Sequence, residues 1–174
     1  ERVGHKEAER IKNEASSRGS SMHSYIEQFL LGKFNLDLLD EENKSKKMAV
    51  EIIDNGLKNK LTEIWGAEAT VYYPGKYAGT ADCIGVYEGK ETILDFKQSN
   101  KPKKEEYIED YFLQIGAYSL AHNTVHNSKI TQGVILICTI DRLFQDFKIE
   151  GNELKNYQNK FLEKVEQFYQ IIGR

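Results

Sequence analysis

Proline is almost absent from this chain of 174 residues, with only Pro74 and Pro102. No Ser/Gly-rich linker, low-complexity tract or long internal repeat is present either, so nothing marks a boundary and residues 1–174 read as a single domain. Cysteine is equally scarce. Cys83 and Cys138 are too few for a disulfide framework, a four-cysteine zinc site or an iron–sulfur cluster. Long apolar runs are missing too. The longest, Val134–Cys138, falls far short of the roughly 20 residues that span a bilayer, so no membrane association is expected. The chain opens at Glu1 rather than Met and shows no secretory signal, so a trimmed, intracellular chain with reduced thiols is the expectation. The last absence is excess positive charge. A net charge of −3 is not that of a generally basic nucleic-acid binder, so any phosphate contact must come from local clusters. Two exist, Lys44/Lys46/Lys47 and Lys101/Lys103/Lys104, and each by itself reads first as a solvated face.

What is present is enough to fold: 40% hydrophobic residues, 29% charged and 11% aromatic. Ala8, Ile11 and Ala15 recur at helical spacing, Arg18-Gly19 interrupts, and Ser20 is placed to cap a second piece carrying Met22, Ile26, Phe29 and Leu30. A helix is expected over Lys46–Leu61, then strands over Glu68–Tyr73, Gly79–Tyr87 and Lys90–Lys97. A helix over Glu105–His122 follows, then a buried strand over Gly133–Ile140, an edge strand over Phe144–Ile149 and a final amphipathic helix. This order implies an α/β fold, a mixed sheet with helices packed on it.

Only Glu88-Gly89 separate the second and third strands, which suits a two-residue hairpin with a primed turn. In that register Tyr87 faces Lys90 and Asp82 faces Asp95, with Lys97 on the same face and Leu94 and Phe96 on the other. Facing carboxylates inside a sheet destabilise it unless something compensates: a divalent cation, a shared proton, or Lys97 as partner to both. The residue pattern leaves all three open. Two further pairs, His23/Glu27 and Gln114/Tyr118, are spaced i, i+4 on their helices and read, each alone, as ordinary polar pairs.

Together these residues stop looking independent. The order Gly19-Ser20-x-x-His23-x-x-x-Glu27, Gly79-x-x-Asp82, Asp95-Phe96-Lys97, Gln114-x-x-x-Tyr118 resembles the RecB-type branch of the PD-(D/E)xK nuclease superfamily, most of all the mitochondrial and phage exonucleases within it. The match runs over roughly residues 10–140. Ala81 stands where many members carry proline before the first Asp, and Asp95 where many carry Glu. The resemblance implies a restriction-endonuclease-like sheet flanked by helices. It implies that Asp82, Asp95, the Phe96 backbone carbonyl and His23 ligate Mg²⁺ or Mn²⁺, and that Lys97 positions or activates the attacking water. It also implies that Gln114 and Tyr118 hold DNA. Glu27 and Glu68 stand as supporting or second-metal acids, although Glu68 reads first as a surface strand residue.

The chemistry agrees with these residue types. Phosphodiester hydrolysis needs a Lewis acid, a placed water and stabilisation of growing oxygen charge. Carboxylates and carbonyls suit Mg²⁺ or Mn²⁺, and an imidazole tilts the choice toward Mn²⁺. The expected activity is a metal-dependent DNA exonuclease in replication, recombination or repair, taking single strands with a free end. Its rivals are a structure-specific endonuclease on the same fold and a non-catalytic DNA-binding scaffold. Lys101, Lys103 and Lys104 would draw phosphates into the site, and Tyr118, Tyr77 or Tyr107 would stack on bases. No helicase motif is visible, so a helicase or recombination partner would be a separate chain. A bacterial or phage-infected cytoplasm is the favoured setting, with the mitochondrion as alternative.

Overall fold

A five-stranded mixed sheet lies between two pairs of helices in the computed structural model, which describes residues 4–33 and 43–173. In chain order the elements are α1 (His5–Leu30), α2 (Lys44–Ile52) continued by a π-helical turn at Ile53–Leu57, β1 (Leu61–Tyr73), β2 (Tyr77–Tyr87) and β3 (Lys90–Ser99). A 3₁₀ turn at Glu105–Tyr107 leads into α3 (Glu109–His126), β4 (Gln132–Thr139), β5 (Phe144–Glu150) and α4 (Gly151–Ile171). The strands lie in the order β1-β2-β3-β4-β5, and only the β3–β4 pair is parallel, with α3 as the connection between them. The mixed sheet flanked by helices is therefore as expected.

Strand alternation sorts two cores. On one face Cys83, Leu94, Phe96, Leu136 and Cys138 pack under Met22 and Ile26 of α1 and Met48 and Ile52 of α2. On the other, Ile84, Ile93, Ile135 and Ile137 pack under Phe112 and Ile115 of α3 and Leu154 of α4. Strand β4 is buried along its whole length, as a central strand between helical layers must be. The β2–β3 turn is primed: Glu88 and Gly89 have φ of 48° and 80°, and Glu88 is held by an ion pair to Lys148 on β5.

Four elements depart most from the sequence expectation. The helix expected over Lys46–Leu61 starts at Lys44 and ends with the π-helical turn at Leu57, Leu61 already belonging to β1. Helix α1 runs unbroken through Arg18-Gly19, and Ser20 caps nothing. Glycine costs an exposed helix about 1 kcal/mol, but here it lets α1 approach β3: a Cβ on Gly19 would stand 3.3 Å from Gln98 Cγ. Strand β1 begins at Leu61 rather than Glu68, because register shifts at Leu61/Glu63 and Ile64/Gly66 erase the alternation that reveals a strand. The helix after β3 begins at Glu109 and continues to His126, four residues beyond the expected end at His122, where Asn127 at φ 50° closes it.

Candidate active site

The β2–β3 ladder keeps the expected register from Tyr87↔Lys90 to Cys83↔Leu94. The next pair would be Asp82 with Asp95, and there the ladder stops. The Phe96 amide donates instead to Asp82 Oδ2 at 2.8 Å, so a side chain takes the place of a strand carbonyl. Both carboxylates line one cleft of about 720 Å³, with Gly19, Ser20, His23, Ser24 and Glu27 from α1, Glu68 from β1, Lys97 from β3 and Gln114 from α3.

His23 is not engaged with Glu27, as its helical spacing suggested, but with Asp82, 59 residues away. Its Nδ1–H donates to the Gly19 carbonyl at 2.8 Å and its Nε2 lies 3.1 Å from Asp82 Oδ2. Burial alone would push the imidazole down. The hydrogen bond and charge of Asp82, the Gly19 carbonyl and the Asp95 charge outweigh burial and hold it up at about 9. Burial would likewise push Asp82 up, but the His23 contact and charge and the Phe96 amide keep it below the ordinary carboxylate range. Asp95 goes the other way. It is 4% exposed, and burial and the Asp82 charge push it up to about 7, against the opposing pull of Lys97.

Lys97 Nζ lies 3.0 Å from Asp95 Oδ2 and donates to Gln114 Oε1 at 3.2 Å, while Gln114 Nε2 donates to the Tyr118 hydroxyl at 3.1 Å. Burial would push the Lys97 ammonium down; the Asp95 charge and contact outweigh this and hold it up. The expected pairs thus join into one line from α1 across the hairpin to α3. Gly79 belongs to it by its small size: a Cβ there would lie 2.5 Å from the Tyr118 ring. Glu68, read first as a surface residue, stands at the lip of the cleft at φ 47°, a strained backbone for a non-glycine residue. Burial and then the Asp82 charge raise its pKa.

Tyr111 was missed. Its ring lies 5.0 Å from Lys97 Nζ, a cation–π contact, and its i, i+3, i+7 spacing with Gln114 and Tyr118 was the available signal. Arg18 was missed too; it donates to Gln98 and Asn100 and ties α1 to the end of β3. Lys101 and Lys103 line a neighbouring depression with Tyr111, and the Lys103 backbone is pinned by Gln145 in both directions. Lys104 lies 4.0 Å from Glu106. Lys46 of the other lysine cluster is buried, 5% exposed, on α2, while Lys44 is exposed and Lys47 half-buried, so that cluster is only in part the solvated face expected. Tyr77 packs rather than standing open: its hydroxyl donates to the Ala117 carbonyl and its ring meets Phe161 edge-on. Tyr107 is exposed.

Among the described residues, no three His, Cys, Asp and Glu side chains stand as a finished cation cage. The donors nevertheless fit a hard divalent ion. Asp95 Oδ2 is buried with no hydrogen bond assigned to it, its close partner being the Lys97 ammonium at 3.0 Å. Two buried carboxylates facing a single ammonium leave negative charge that such an ion relieves.

No protein-family profile matches the chain. It is 28% identical over 162 residues to mitochondrial genome maintenance exonuclease 1 of Xenopus tropicalis, covering 87% of this chain and 44% of that protein. It is also 28% identical over 158 residues to the Homo sapiens protein of that name, covering 87% of this chain and 45% of that one. The chain resembles exonucleases. It spans about 44–45% of the length of these relatives. Among solved structures it resembles a putative exonuclease from Eubacterium rectale, with a TM-score of 0.57 and 17% identity, over 90% of this chain and 66% of that one. That likeness is one of fold. No helix among the described residues is long and apolar enough to cross a membrane.

Proposed function

We propose that the chain carries a divalent-cation-dependent DNA nuclease centre acting exonucleolytically on single strands with a free end. The observation that supports this best is the bonded line His23–Asp82, Asp95–Lys97, Gln114–Tyr118, drawn from α1, the hairpin and α3 into one cleft. A second support is the buried Asp95 carboxylate beside Asp82, answered by the Lys97 ammonium alone at Oδ2.

Asp82, Asp95, the Phe96 carbonyl and His23 would hold Mg²⁺ or Mn²⁺, with Glu27 and Glu68 as flanking acids. Once bound, the ion supplies Lewis acidity to the scissile phosphate. As a ligand His23 would bind through a neutral Nε2, the proton that Asp82 now helps to hold there passing to solvent, while its Nδ1–H stays on the Gly19 carbonyl and fixes the ring. Lys97, kept charged by Asp95, orients the attacking water and balances negative charge growing on the phosphate oxygens. Gln114, clamped between Lys97 and Tyr118, and the Tyr118 hydroxyl contact the DNA beside that phosphate. Lys101, Lys103 and Lys104 take phosphates farther along the strand. Replication, recombination or repair is the setting, with a helicase or recombination factor supplying single strands. The place is a bacterial or phage-infected cytoplasm, or the mitochondrion that the relatives are named for.

The test is end-labelled DNA, single- and double-stranded, linear and circular, with Mg²⁺, Mn²⁺ or EDTA. Linear single strands are degraded with either ion, blunt duplex more slowly, circular single strands persist, and EDTA stops all cleavage. Rapid cutting of circles makes the protein an endonuclease, and no cleavage under any condition overturns the proposal.

A further inference from the structure

We infer that a second pocket, next to the catalytic cleft, seats the terminal nucleoside of the strand. This rests on the exonuclease reading and deepens it. The pocket is about 360 Å³ and is walled by α3, α4 and the start of β2. It meets the catalytic cleft at Gln114, which lines both, so a strand with a phosphate beside Lys97 has its next group across Gln114.

The walls suit a base. Phe161 and Tyr118 line the pocket, and Phe161 is braced edge-on at 4.8 Å by Tyr77, whose own ring is also packed against Tyr73. These rings are set in advance: the Tyr77 hydroxyl donates to the Ala117 carbonyl at 2.8 Å, and Tyr118 is bonded to Gln114 at 3.1 Å. The volume lies at the low end of the roughly 300–1,000 Å³ range of small-ligand pockets, room for one nucleoside and too little for a duplex end. Lys164 and Asp110 both line the pocket, and Lys164 forms no ion pair with Asp110 or any other carboxylate among the described residues, which leaves its ammonium available to a phosphate. Lys160, one turn earlier on α4, is paired with Glu109, and Lys76 is paired with Glu166. An unpaired cation beside an aromatic recess suits a nucleotide, whose base stacks and whose phosphate carries charge. Lys97 also meets the Tyr111 ring, three residues before Gln114 on α3, and Tyr111 borders the depression that holds Lys101 and Lys103. The strand therefore runs from a cationic groove, past the carboxylates, into an aromatic recess that takes its end, which gives the free-end requirement a physical seat.

The test reads binding without cleavage. Linear single-stranded DNA carrying 2-aminopurine at the 5′ end, the 3′ end or mid-strand is titrated with the Asp95→Asn protein. Fluorescence is expected to be quenched at one terminus and not mid-strand, and Phe161→Leu in that background is expected to remove the quenching. In the otherwise native chain, Phe161→Leu is expected to raise KM for linear single strands roughly fivefold or more, the lower end of what one base–ring stack contributes. Lys164→Ala is expected to flatten the dependence of log affinity on log salt by about 0.7, the share of one phosphate contact on a single strand. Equal quenching at all positions, or quenching untouched in a folded Phe161→Leu, overturns the inference. Should Phe161→Leu fail to fold, the exposed Lys164→Ala decides, and an unchanged salt slope counts against the pocket. Failure of the native protein to cleave any DNA sinks the exonuclease reading instead, and is seen separately because terminal quenching needs no hydrolysis.

Discussion

The two ends of the β2–β3 hairpin are made from the same pair of strands and treat polar groups in opposite ways. At the turn the buried side-chain groups among the described residues are answered. The buried Tyr87 hydroxyl donates to the Gly56 carbonyl at 2.8 Å, and Gln132 Nε2 reaches both the Tyr87 carbonyl and Thr92 Oγ1. The exposed lysines there, Lys90 and Lys148, are paired with Glu150 and Glu88. At the open end the ladder is broken, two carboxylates share a cleft, and one buried oxygen has no hydrogen bond. The turn end is solved for stability. The open end is left unsolved, and an arrangement that disfavours the unliganded fold persists where a ligand completes it.

The sharpest way to break this contrast is to remove charge at each end. Asp82→Ala, Asp95→Ala or Lys97→Ala is expected to lower cleavage at least about 10³-fold, close to 4 kcal/mol of transition-state stabilisation, with far-UV dichroism unchanged. The carboxylate losses also weaken divalent-ion binding measured by titration calorimetry, whereas Lys97→Ala spares it, since an ammonium has no lone pair to give. Substantial Mg²⁺-dependent hydrolysis by Asp95→Ala would return the cluster to a structural role.

A middle-sized effect lies in stability against pH. The folded protein holds the Asp95 proton up to about 7, where the unfolded chain has released it near 3.8. Through that window the folded state binds more protons, so stability falls as pH rises and stays lower above it. His23, held up at about 9 against 6.5 when unfolded, contributes stability that is complete below 6.5 and is lost as pH rises through 9. Without a divalent ion, Asp95→Asn is therefore expected to raise stability at pH 7–8 by on the order of 2 kcal/mol, roughly 4–8 °C in melting temperature. It removes the acid-side fall and leaves that of His23. Adding Mn²⁺ is expected to stabilise the native chain and not the variant. Melting curves across pH, with and without the ion, check the sign.

Much of this contrast is legible in the sequence, for a local reason. A two-residue turn fixes register, so Glu88-Gly89 suffices to set Asp82 against Asp95, and helical spacing suffices to put Gln114 over Tyr118. What local spacing cannot reach is what depends on distant contacts. His23 reads as a partner of Glu27 because both lie on one helix face, yet the Asp82 carboxylate arrives from a strand 59 residues on. Gly19 reads as a helix break because its close approach to Gln98 is invisible in sequence. The first half of β1 is hidden by its bulges, and Glu68 by a backbone turned to φ 47°. Tyr111 was legible in principle, sharing a helix face with Gln114 and Tyr118, but a lone tyrosine on an amphipathic helix carries no chemistry until Lys97 is placed over it.

The smallest expected effect is at the turn, and it makes the comparison two-sided. Tyr87→Phe deletes one buried hydroxyl and leaves the ring, so its place in the core under α1 and α2 and the contact of Lys148 with the ring face remain. What is lost is the hydrogen bond to the Gly56 carbonyl in the π-helical turn after α2. A single neutral hydrogen bond is worth about 1 kcal/mol net, so the melting temperature is expected to fall by roughly 2–4 °C. Cleavage of linear single-stranded DNA is expected to stay within about twofold of native, because Tyr87 lies five residues along the strand from Asp82 and on the side of the sheet that packs under α1 and α2. A Tyr87→Phe protein that melts normally but cleaves poorly would mean that the two ends of the hairpin are coupled. The division between a settled turn and an unsettled site would then have to be given up.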